Sequence, residues 1–270
     1  MIELRADLAT HFPGDEAEVF ERVMALEGEV FRSVARRRTL RFTLEDRGYF
    51  LKLHQGVGWR EIIKNLLQLR LPVLGARNEW RAIRRLEGLG VATMAIAGFG
   101  ERGLPPAWLQ SFLITDELAN TVSLEDVCRD WPDSPPPPPL KRQLLEKVAK
   151  ISRTLHNNGV NHRDYYICHF LLDRDAARGP FTPERLNLWL IDLHRVQLRK
   201  RTPRRWVQKD LAGLHFSSME IGLTLRDRLR FLRSYRQRPL RQILTEERCF
   251  WEQVERKALK LYRKGVPGGS

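Results

Sequence analysis

The sequence predicts an α+β fold in two lobes, with an antiparallel sheet in the front lobe and mainly helices in the back lobe. Residues 37–54 alternate apolar and polar side chains on both sides of the turn-forming EDRG, which indicates a β-hairpin. A proline-rich segment, DWPDSPPPPPL at 130–140, follows the strand-rich region. After it, apolar residues recur every three or four positions, as in helices. We expect the functional site in a cleft between the lobes.

The composition indicates a folded, basic protein with anionic partners. Apolar residues make up 42% of the 270 residues, and 47 Lys and Arg against 33 Asp and Glu give a formal net charge of +14. Such an excess favours nucleic acid, an anionic membrane surface, phosphorylated sugars or an acidic protein as partner. The chain start does not resemble a signal peptide, and no apolar run approaches the ~20 residues of a membrane-spanning helix. Three widely spaced cysteines do not form a disulfide scaffold, so we predict a cytosolic protein.

Two helices and further strands complete the predicted front lobe. Residues 59–70 (WREIIKNLLQLR) and 76–90 (ARNEWRAIRRLEGLG) carry apolar residues at helical spacing, and the second segment ends at glycine. Strand-like sequence continues through SFLITDEL at 111–118. Lys52 lies on the second strand of the hairpin, and Glu79 lies on the second helix.

The back lobe begins after the proline run, which we expect to be a stiff extended connector. Five consecutive prolines neither continue a helix nor pair in a central strand. A long helix over 141–159 should follow and end at Asn-Asn-Gly. HFLLD at 169–173 and LNLWLIDL at 186–193 are typical of two short strands, and the remainder should be mostly helical and basic.

The segment VNHRDYYICHFLLD at 160–173 concentrates polar chemistry between apolar ends. His162, Cys168 and His169 suggest a metal site. However, neighbouring side chains on a strand point to opposite faces, so Cys168 and His169 cannot easily share one ion. Apolar neighbours predict a buried, unactivated thiol at Cys168. Asp164, in the loop before the strand, is the stronger candidate for a functional residue.

A second carboxylate, Asp192, closes the next apolar strand. Two carboxylates at the mouths of short strands could face one cleft. One would orient or deprotonate a hydroxyl, and the other would hold Mg²⁺ on the phosphates of ATP. For either aspartate taken alone, a turn or cap role is the alternative.

The order of these residues resembles the protein-kinase signature set. His-Arg-Asp at 162–164 is followed by a strand, and a second apolar strand ends in Asp192. The resemblance implies that Asp164 is the catalytic base and that Asp192 binds Mg²⁺. It also implies that Lys52, paired with Glu79, neutralises the phosphates of ATP.

Two further segments extend the resemblance. ITDEL at 114–118 is similar to the segment between kinase lobes, so Glu117 and Leu118 would bind adenine through backbone groups. KDLAGL at 209–214 is similar to a helix start whose aspartate, here Asp210, supports the catalytic loop. The resemblance then divides the chain into a front lobe at 1–114, a hinge at 115–120, a back lobe at 121–264 and a flexible tail at 265–270.

The sequence also departs from the protein-kinase pattern. No G-x-G-x-x-G precedes Lys52, and RRTLRFTLEDRG at 37–48 is the expected phosphate-covering hairpin, with arginines in place of glycines. The D-F-G position reads DLH at 192–194, and His169 stands where an asparagine would be the second magnesium ligand. Imidazole is a poorer ligand for Mg²⁺ than oxygen. These departures favour a small-substrate kinase over a regulated protein kinase.

Longer stretches resemble the lipopolysaccharide core heptose(I) kinase family. Among them are YFLKLHQGVGWREIIKNLL, NHRDYYICHFLL, IDLHRVQ and PRRWVQKDLAGLHFSSMEIGLT, and the resemblance covers nearly the whole chain. It implies a protein-kinase-like fold and transfer of the γ-phosphate of ATP to a hydroxyl of the first heptose of the inner core. It also implies a Gram-negative cell and action on a lipid precursor at the cytosolic face of the inner membrane.

The basic runs fit such an acceptor, which would carry carboxylates and phosphates on a lipid in an anionic leaflet. RKRTPRRWVQK at 199–209 is the densest run, and its Trp206 suits an interface or a stacked sugar. A solvated basic face is the alternative, and docking of an acidic protein partner is a third reading. The substrate-facing candidates are Arg163, Arg201, Arg204 and Arg205.

Two other functions stay open at the level of sequence. The same scaffold could phosphorylate another sugar or an aminoglycoside, which acceptor screening would reveal. Alternatively, a basic pseudokinase could bind nucleic acid with a steep salt dependence and no ATP turnover. The presence of all four charged groups of a kinase site argues against the pseudokinase, so no specific nucleic acid is expected.

Overall fold

The computed structural model describes residues 1–34, 36–56, 75–103, 108–178 and 186–265. The chain forms two compact units. The first unit comprises Met1–Arg85 and Met94–Ala119, and the second comprises Leu86–Thr93 and Asn120–Ser270. Each unit contains helices and antiparallel strands, which confirms the α+β prediction.

The first unit is built on a six-stranded antiparallel sheet. Its strands in chain order are β1 (Ile2–Leu4), β2 (Glu29–Val34), β3 (Arg37–Leu44), β4 (Arg47–Gln55), β5 (Ile96–Arg102) and β6 (Gln110–Asp116). Across the sheet they run β1-β5-β6-β4-β3-β2. Strands β4 and β6 therefore lie in the middle of the sheet, where both sides of each strand are paired.

The predicted hairpin is present as β3 and β4. Glu45 and Asp46 form its two-residue turn with φ of 45° and 62°, the left-handed backbone that matches the twist of a hairpin. Leu51 and Leu53 of β4 are almost completely buried. Because side chains alternate along a strand, Lys52 points to the opposite face of the sheet.

Strand β2 is a difference from the prediction. It pairs antiparallel with β3, so the first hairpin of this sheet is β2–β3, and Arg36 lies in its turn. The segment 37–48 forms the second strand of that hairpin and the link to β4. A register shift between Val30 and Arg32 interrupts the alternation, and Phe31 is 57% exposed. A β-bulge of this kind removes the period of two by which a strand is recognised in a sequence.

Helices α1 (Ala6–Ala9) and α2 (Glu16–Met24) belong to the first unit. The carboxylate of Asp15 accepts the backbone N–H groups of Ala17 and Glu18 at 2.9 Å each, which starts α2 as an N-cap. Buried Phe20 of α2 contacts Phe112 of β6 with ring centroids 5.4 Å apart. This contact joins α2 to the core on one face of the sheet.

Helix α3 (Arg77–Gly88) confirms the second predicted helix. Its Trp80 stacks on Phe99 of β5 with ring centroids 5.0 Å apart. Its buried Ala82, Ile83 and Leu86 follow helical spacing. The helix predicted over 59–70 lies outside the described residues.

The second unit is mainly helical. Its helices are α4 (Leu124–Cys128), α5 (Pro138–Asn157), α6 (Arg174–Arg178), α7 (Arg204–Ser217), α8 (Leu225–Arg236), α9 (Leu240–Glu246) and α10 (Arg248–Gly265). Buried residues of α5, α7, α8 and α10, among them Ala149, Leu211, Tyr235 and Val254, form one core. None of the helices in the described part of the chain is long and apolar enough to cross a membrane. Residues 266–270 of the predicted tail lie outside the described residues.

Short strands flank the helices of this unit. They are β7 (Thr121–Ser123), β8 (Val160–Asn161), β9 (Phe170–Asp173), β10 (Leu188–Leu190) and β11 (Gln197–Leu198). One antiparallel sheet has the order β10-β9-β7, and β11 pairs with β8. The two strands predicted around 169–173 and 186–193 are thus confirmed as β9 and β10.

The prediction of an extended connector through all five prolines is wrong for the last two. Helix α5 begins at Pro138, after Pro137 in the N-cap position. The first turn of a helix needs no hydrogen bond from its N–H groups, so the missing donors of Pro138 and Pro139 cost nothing there. The fixed φ of proline also matches the helical value, which favours the start of α5 at this point.

Candidate active site

The first unit holds Lys52 and Glu79 in direct contact. Lys52 lies on β4 opposite Leu113 of β6, and Glu79 lies in the first turn of α3. The Lys52 Nζ is 2.5 Å from the Glu79 Oε1, and the two side chains are only 16% and 2% exposed. A carboxylate buried to this extent needs a cation beside it, so the pair fixes the position of the ammonium group.

Residues 117–118 follow strand β6. The Glu117 N–H donates to the carbonyl of Gly48 at 2.9 Å, and the Glu117 carboxylate accepts from Arg41 Nε at 2.8 Å. That hydrogen bond raises the pKa of the Arg41 guanidinium. A Cβ on residue 48 would overlap with the Glu117 carboxylate, so a larger residue there would make that side chain move. Leu118 is half-buried.

Asp164 lies in the second unit, between β8 and a short 3₁₀ helix (Ile167–His169). Both of its carboxylate oxygens accept from Arg195 Nη1, at 2.9 and 3.0 Å, and its side chain is 17% exposed. Arg195 therefore holds the carboxylate in one orientation while leaving lone pairs to accept a proton. Arg195 was not predicted as a site residue, although it follows Asp192 within the family-like stretch IDLHRVQ.

Asp210 of α7 anchors the loop that carries Asp164. Its carboxylate is completely buried and accepts the backbone N–H groups of His162 at 2.6 Å and Arg163 at 2.9 Å. Arg163 has a φ of 77°, a left-handed conformation that is uncommon outside glycine. Two charge-assisted hydrogen bonds thus hold a strained turn immediately before Asp164. These contacts are compatible with the supporting role that the sequence analysis predicted for Asp210, which stays a prediction.

Two buried histidines lie behind this loop. His162 Nε2 donates to the carbonyl of Ile191 at 3.0 Å, and its Nδ1 has no partner among the described residues. Burial lowers the pKa of His162, which favours the neutral ring. His156 contacts Tyr235 Oη through Nδ1 at 2.8 Å, and its Nε2 lies 3.4 Å from Asp210 Oδ2.

Asp192 follows β10 and has a left-handed backbone, with φ of 61°. Its Oδ1 accepts from His194 Nδ1 at 2.5 Å, and its Oδ2 lies 3.5 Å from His169 Nε2. His169 Nδ1 donates to the carbonyl of Asp164 at 2.7 Å. One imidazole thus contacts both candidate aspartates. The contact of His194 with Asp192 was not predicted from the sequence, where His194 appeared only as the last residue of DLH at the D-F-G position.

The geometry around Asp192 fits a magnesium ion held partly by the protein. His169 Nε2 lies 3.5 Å from Asp192 Oδ2, so the imidazole nitrogen and the carboxylate oxygen are close enough to bind one cation. Within the described residues, no three metal-binding side chains lie together. Mg²⁺ commonly takes one or two protein ligands and completes its shell with phosphates and water, so this set is sufficient.

The four predicted substrate-facing arginines fall into two groups. Arg163 and Arg205 lie over the ring of Trp206, at 5.4 and 5.5 Å from its centroid. Arg201 and Arg204 line a separate depression beside α10. Only the first group adjoins the loop of Asp164, because Arg163 directly precedes that residue.

Cys168 does not act as a reactive thiol in this environment. Its side chain is half-buried, and burial is the main cause that raises its pKa to about 11. The thiol form therefore dominates at neutral pH, as the sequence predicted for an unactivated thiol.

Several known proteins are similar to this chain. The family model described as lipopolysaccharide kinase (Kdo/WaaP) matches residues 21–235. A lipopolysaccharide core heptose(I) kinase WaaP of Pseudomonas aeruginosa is 56% identical over 245 residues, which cover 91% of this chain and 90% of that protein. An Escherichia coli protein of the same description is 50% identical over 268 residues, 98% of each chain. A solved structure of WaaP in complex with acyl carrier protein has a TM-score of 0.83 and 48% identity, covering 97% of this chain and 99% of its own.

Proposed function

Because the chain belongs to the lipopolysaccharide kinase (Kdo/WaaP) family, we propose that it transfers the γ-phosphate of ATP to a hydroxyl of the first heptose of the lipopolysaccharide inner core. It is then a phosphotransferase with an alcohol group as acceptor. The observation that carries this proposal is the contact of His169 with both aspartates. His169 links the backbone carbonyl of Asp164 to the carboxylate of Asp192, which supports roles for these two aspartates at one site.

Asp164 acts on the acceptor hydroxyl. The transfer forms a bond from the acceptor oxygen to the γ-phosphorus and breaks the bond from that phosphorus to the β–γ bridging oxygen. Asp164 orients the hydroxyl and accepts its proton, while Arg195 keeps the carboxylate in place. Asp210 fixes the backbone before Asp164, so it is a positioning residue and does not touch the reacting atoms.

Lys52 and the Asp192 region act on ATP. The ammonium group of Lys52, held by Glu79, binds the phosphates and offsets their charge. Asp192 and His169 would hold Mg²⁺, which would neutralise charge on the phosphate oxygens. His194 keeps the Asp192 carboxylate oriented for that role. We assign the adenine contact of Glu117 to its backbone carbonyl, because its N–H already donates to the carbonyl of Gly48. Leu118 supplies the adjoining backbone groups.

The acceptor is an anionic lipid precursor at the cytosolic face of the inner membrane. The net charge of +14 draws the chain to an anionic leaflet, by ~1 kcal/mol for each basic side chain near the surface. Arg201 and Arg204, apart from the loop of Asp164, are candidates for contact with that surface. Vesicles with anionic lipid should sediment the protein and purely zwitterionic vesicles should not. Equal sedimentation by both would contradict this location.

An acyl carrier protein is a second partner, as it is for the relative solved in that complex. Acyl carrier proteins are acidic, so the basic surface suits them. The second unit also encloses an apolar cavity of about 330 Å³, lined among others by Leu144, Leu214 and Phe231. We assign this cavity to the acyl chain. Acylated carrier should then bind more tightly than the unacylated form at matched salt, and equal affinity would remove the cavity from the proposal.

The deciding experiment measures phosphate transfer by the purified protein. Asp164→Asn keeps the shape of the side chain but removes its basicity, so the rate should fall by about 10²–10⁴-fold. Asp130→Asn, at an exposed site, is the matched control. The acceptors are inner-core lipid, other sugars and an aminoglycoside, with phosphorylated sugars identified by mass spectrometry. Near-wild-type transfer by Asp164→Asn would overturn the assignment, and transfer only to an aminoglycoside would favour the other small-substrate kinase.

A further inference from the structure

Four cations surround the indole of Trp206 on α7. They approach its ring centroid to within 5.4–5.7 Å, and we call them, with Trp206, the Trp206 cluster. They are Arg163, Arg199, Arg205 and Lys209. Arg163 immediately precedes Asp164, so the cluster begins at the catalytic loop. The ring offers each cation a weak attraction of about 0.5–2 kcal/mol but no negative charge to balance them.

The positive charge of the cluster is not neutralised by the protein. Among the described residues, Arg163 and Lys209 have no ion pair. The nearby carboxylates that stabilise the positive charges of Arg163 and Lys209 are Asp164 and Asp210. Asp164 is already bound to Arg195, and Asp210 is already bound to backbone N–H groups. Partial burial and neighbouring cations lower the pKa of both Arg163 and Lys209. The cluster would therefore be stabilised by an anion.

Donors in the cluster also lack acceptors. Arg163 Nε and Trp206 Nε1 are buried without a hydrogen-bond partner among the described residues. Buried donors without partners are uncommon and costly. The left-handed backbone of Arg163, with φ of 77°, is a second cost, and Asp210 maintains it. Unpaired donors, unbalanced charge and strain at one place are typical of a site built for a ligand.

We propose that the Trp206 cluster binds an oxyanion of the acceptor, a carboxylate or a phosphate, and so positions the acceptor hydroxyl at Asp164. This inference rests on the proposed function and deepens it by naming the residues that select the acceptor. Arg199 already donates to the neutral side chains of Asn161 and Gln197, which hold it in place. Lys209 makes no side-chain hydrogen bond or ion pair among the described residues, so its substitution tests the site with little disturbance of the fold.

The test compares wild type with Lys209→Met, Lys209→Arg and the exposed control Lys260→Met. Each is assayed with native inner-core lipid, with lipid whose carboxylates are reduced to alcohols, and with dephosphorylated lipid. Lys209→Met should raise the KM for native acceptor by about 10–100-fold, the value of one hydrogen bond to a charged group. The KM for ATP should stay within about twofold, and Lys209→Arg should restore most of the loss.

The modified acceptors identify the oxyanion. With the acceptor that lacks the recognised oxyanion, the wild type should already show the KM for acceptor that Lys209→Met shows with native lipid. Lys209→Met should then raise that KM little further. An equal effect of Lys209→Met on all three acceptors, or an unchanged KM for native acceptor, would overturn the inference. Failure of the wild type to phosphorylate any acceptor would instead overturn the proposed function.

A measurement without ATP or acceptor keeps the two proposals separable. Inorganic phosphate should raise the melting temperature of the wild type more than that of Lys209→Met, with sodium chloride at matched ionic strength as the reference. Equal shifts in both proteins would show that Lys209 binds no oxyanion and would contradict the inference, whatever the transfer assay gives.

Discussion

Replacement of Asp210 by asparagine should both destabilise the protein and slow its turnover. The buried carboxylate accepts two backbone N–H groups, at 2.6 and 2.9 Å. Asparagine keeps one acceptor oxygen and turns an NH₂ donor towards the other N–H. A hydrogen bond to a charged group contributes ~1.5–3 kcal/mol and a neutral one ~1 kcal/mol, so Asp210→Asn should lower the free energy of unfolding by about 2–4 kcal/mol. At about 2–4 °C for each kcal/mol, the melting temperature should fall by about 4–16 °C.

The same change should displace Asp164. The turn at Arg163 is strained and would relax when one of its two hydrogen bonds is lost, and a shift of ~1 Å at a catalytic group can cost ~10²-fold in rate. Thermal unfolding followed by circular dichroism and steady-state phosphate transfer measure the two effects. Asp130→Asn, with its exposed side chain, controls for the loss of one negative charge. A melting temperature within about 2 °C of wild type would refute the reasoning that these bonds hold the turn.

Three further predictions concern other buried groups. Glu79→Gln should raise the KM for ATP and lower the free energy of unfolding by about 3 kcal/mol, because it leaves Lys52 without its buried partner. The exposed control Glu87→Gln on the same helix should change neither quantity. An unchanged KM for ATP in Glu79→Gln would remove the pair from the site. Burial lowers the pKa of His162 below its unfolded value, so the unfolded chain takes up the proton first. The free energy of unfolding should be level above about pH 7 and decline as pH falls below about 6.5, and His162→Gln should flatten that decline in urea titrations. Iodoacetamide at about pH 8 should modify exposed Cys249 and spare Cys168 and Cys128, whose thiols burial holds at pKa values of about 11 and about 12, as peptide mass spectrometry would show.

Much of the fold followed from local patterns. The β3–β4 hairpin was predictable because strict alternation flanks a turn-forming pair, and α3 because its apolar residues keep helical spacing up to a glycine. Strand β2 was not predictable, because a bulge breaks its alternation and two of its apolar side chains face outward. The start of α5 was misplaced because proline is incompatible with a helix interior but compatible with its first turn.

Some residues of the candidate site could also be predicted from the sequence, and others could not. Lys52, Glu79, Asp164 and Asp210 could be proposed because each lies in a recognisable motif, and the contacts of Lys52 with Glu79 and of Asp210 with the loop agree with the roles proposed for them. Arg195 was not found because it matches no position of the protein-kinase pattern, and only the folded chain shows its contact with Asp164. The Trp206 cluster was visible only as a basic run, because sequence does not show which cations share one ring.

The anchoring of residues 162 and 163 by Asp210 also bears on how the protein is made. A chain that emerges from the ribosome exposes the catalytic loop well before helix α7, which carries the carboxylate that the loop requires. Until α7 has been synthesised and has docked, the left-handed turn at Arg163 lacks the acceptor that maintains it. The loop that carries Asp164, the proposed base, should therefore become ordered only late in synthesis, once α7 has docked.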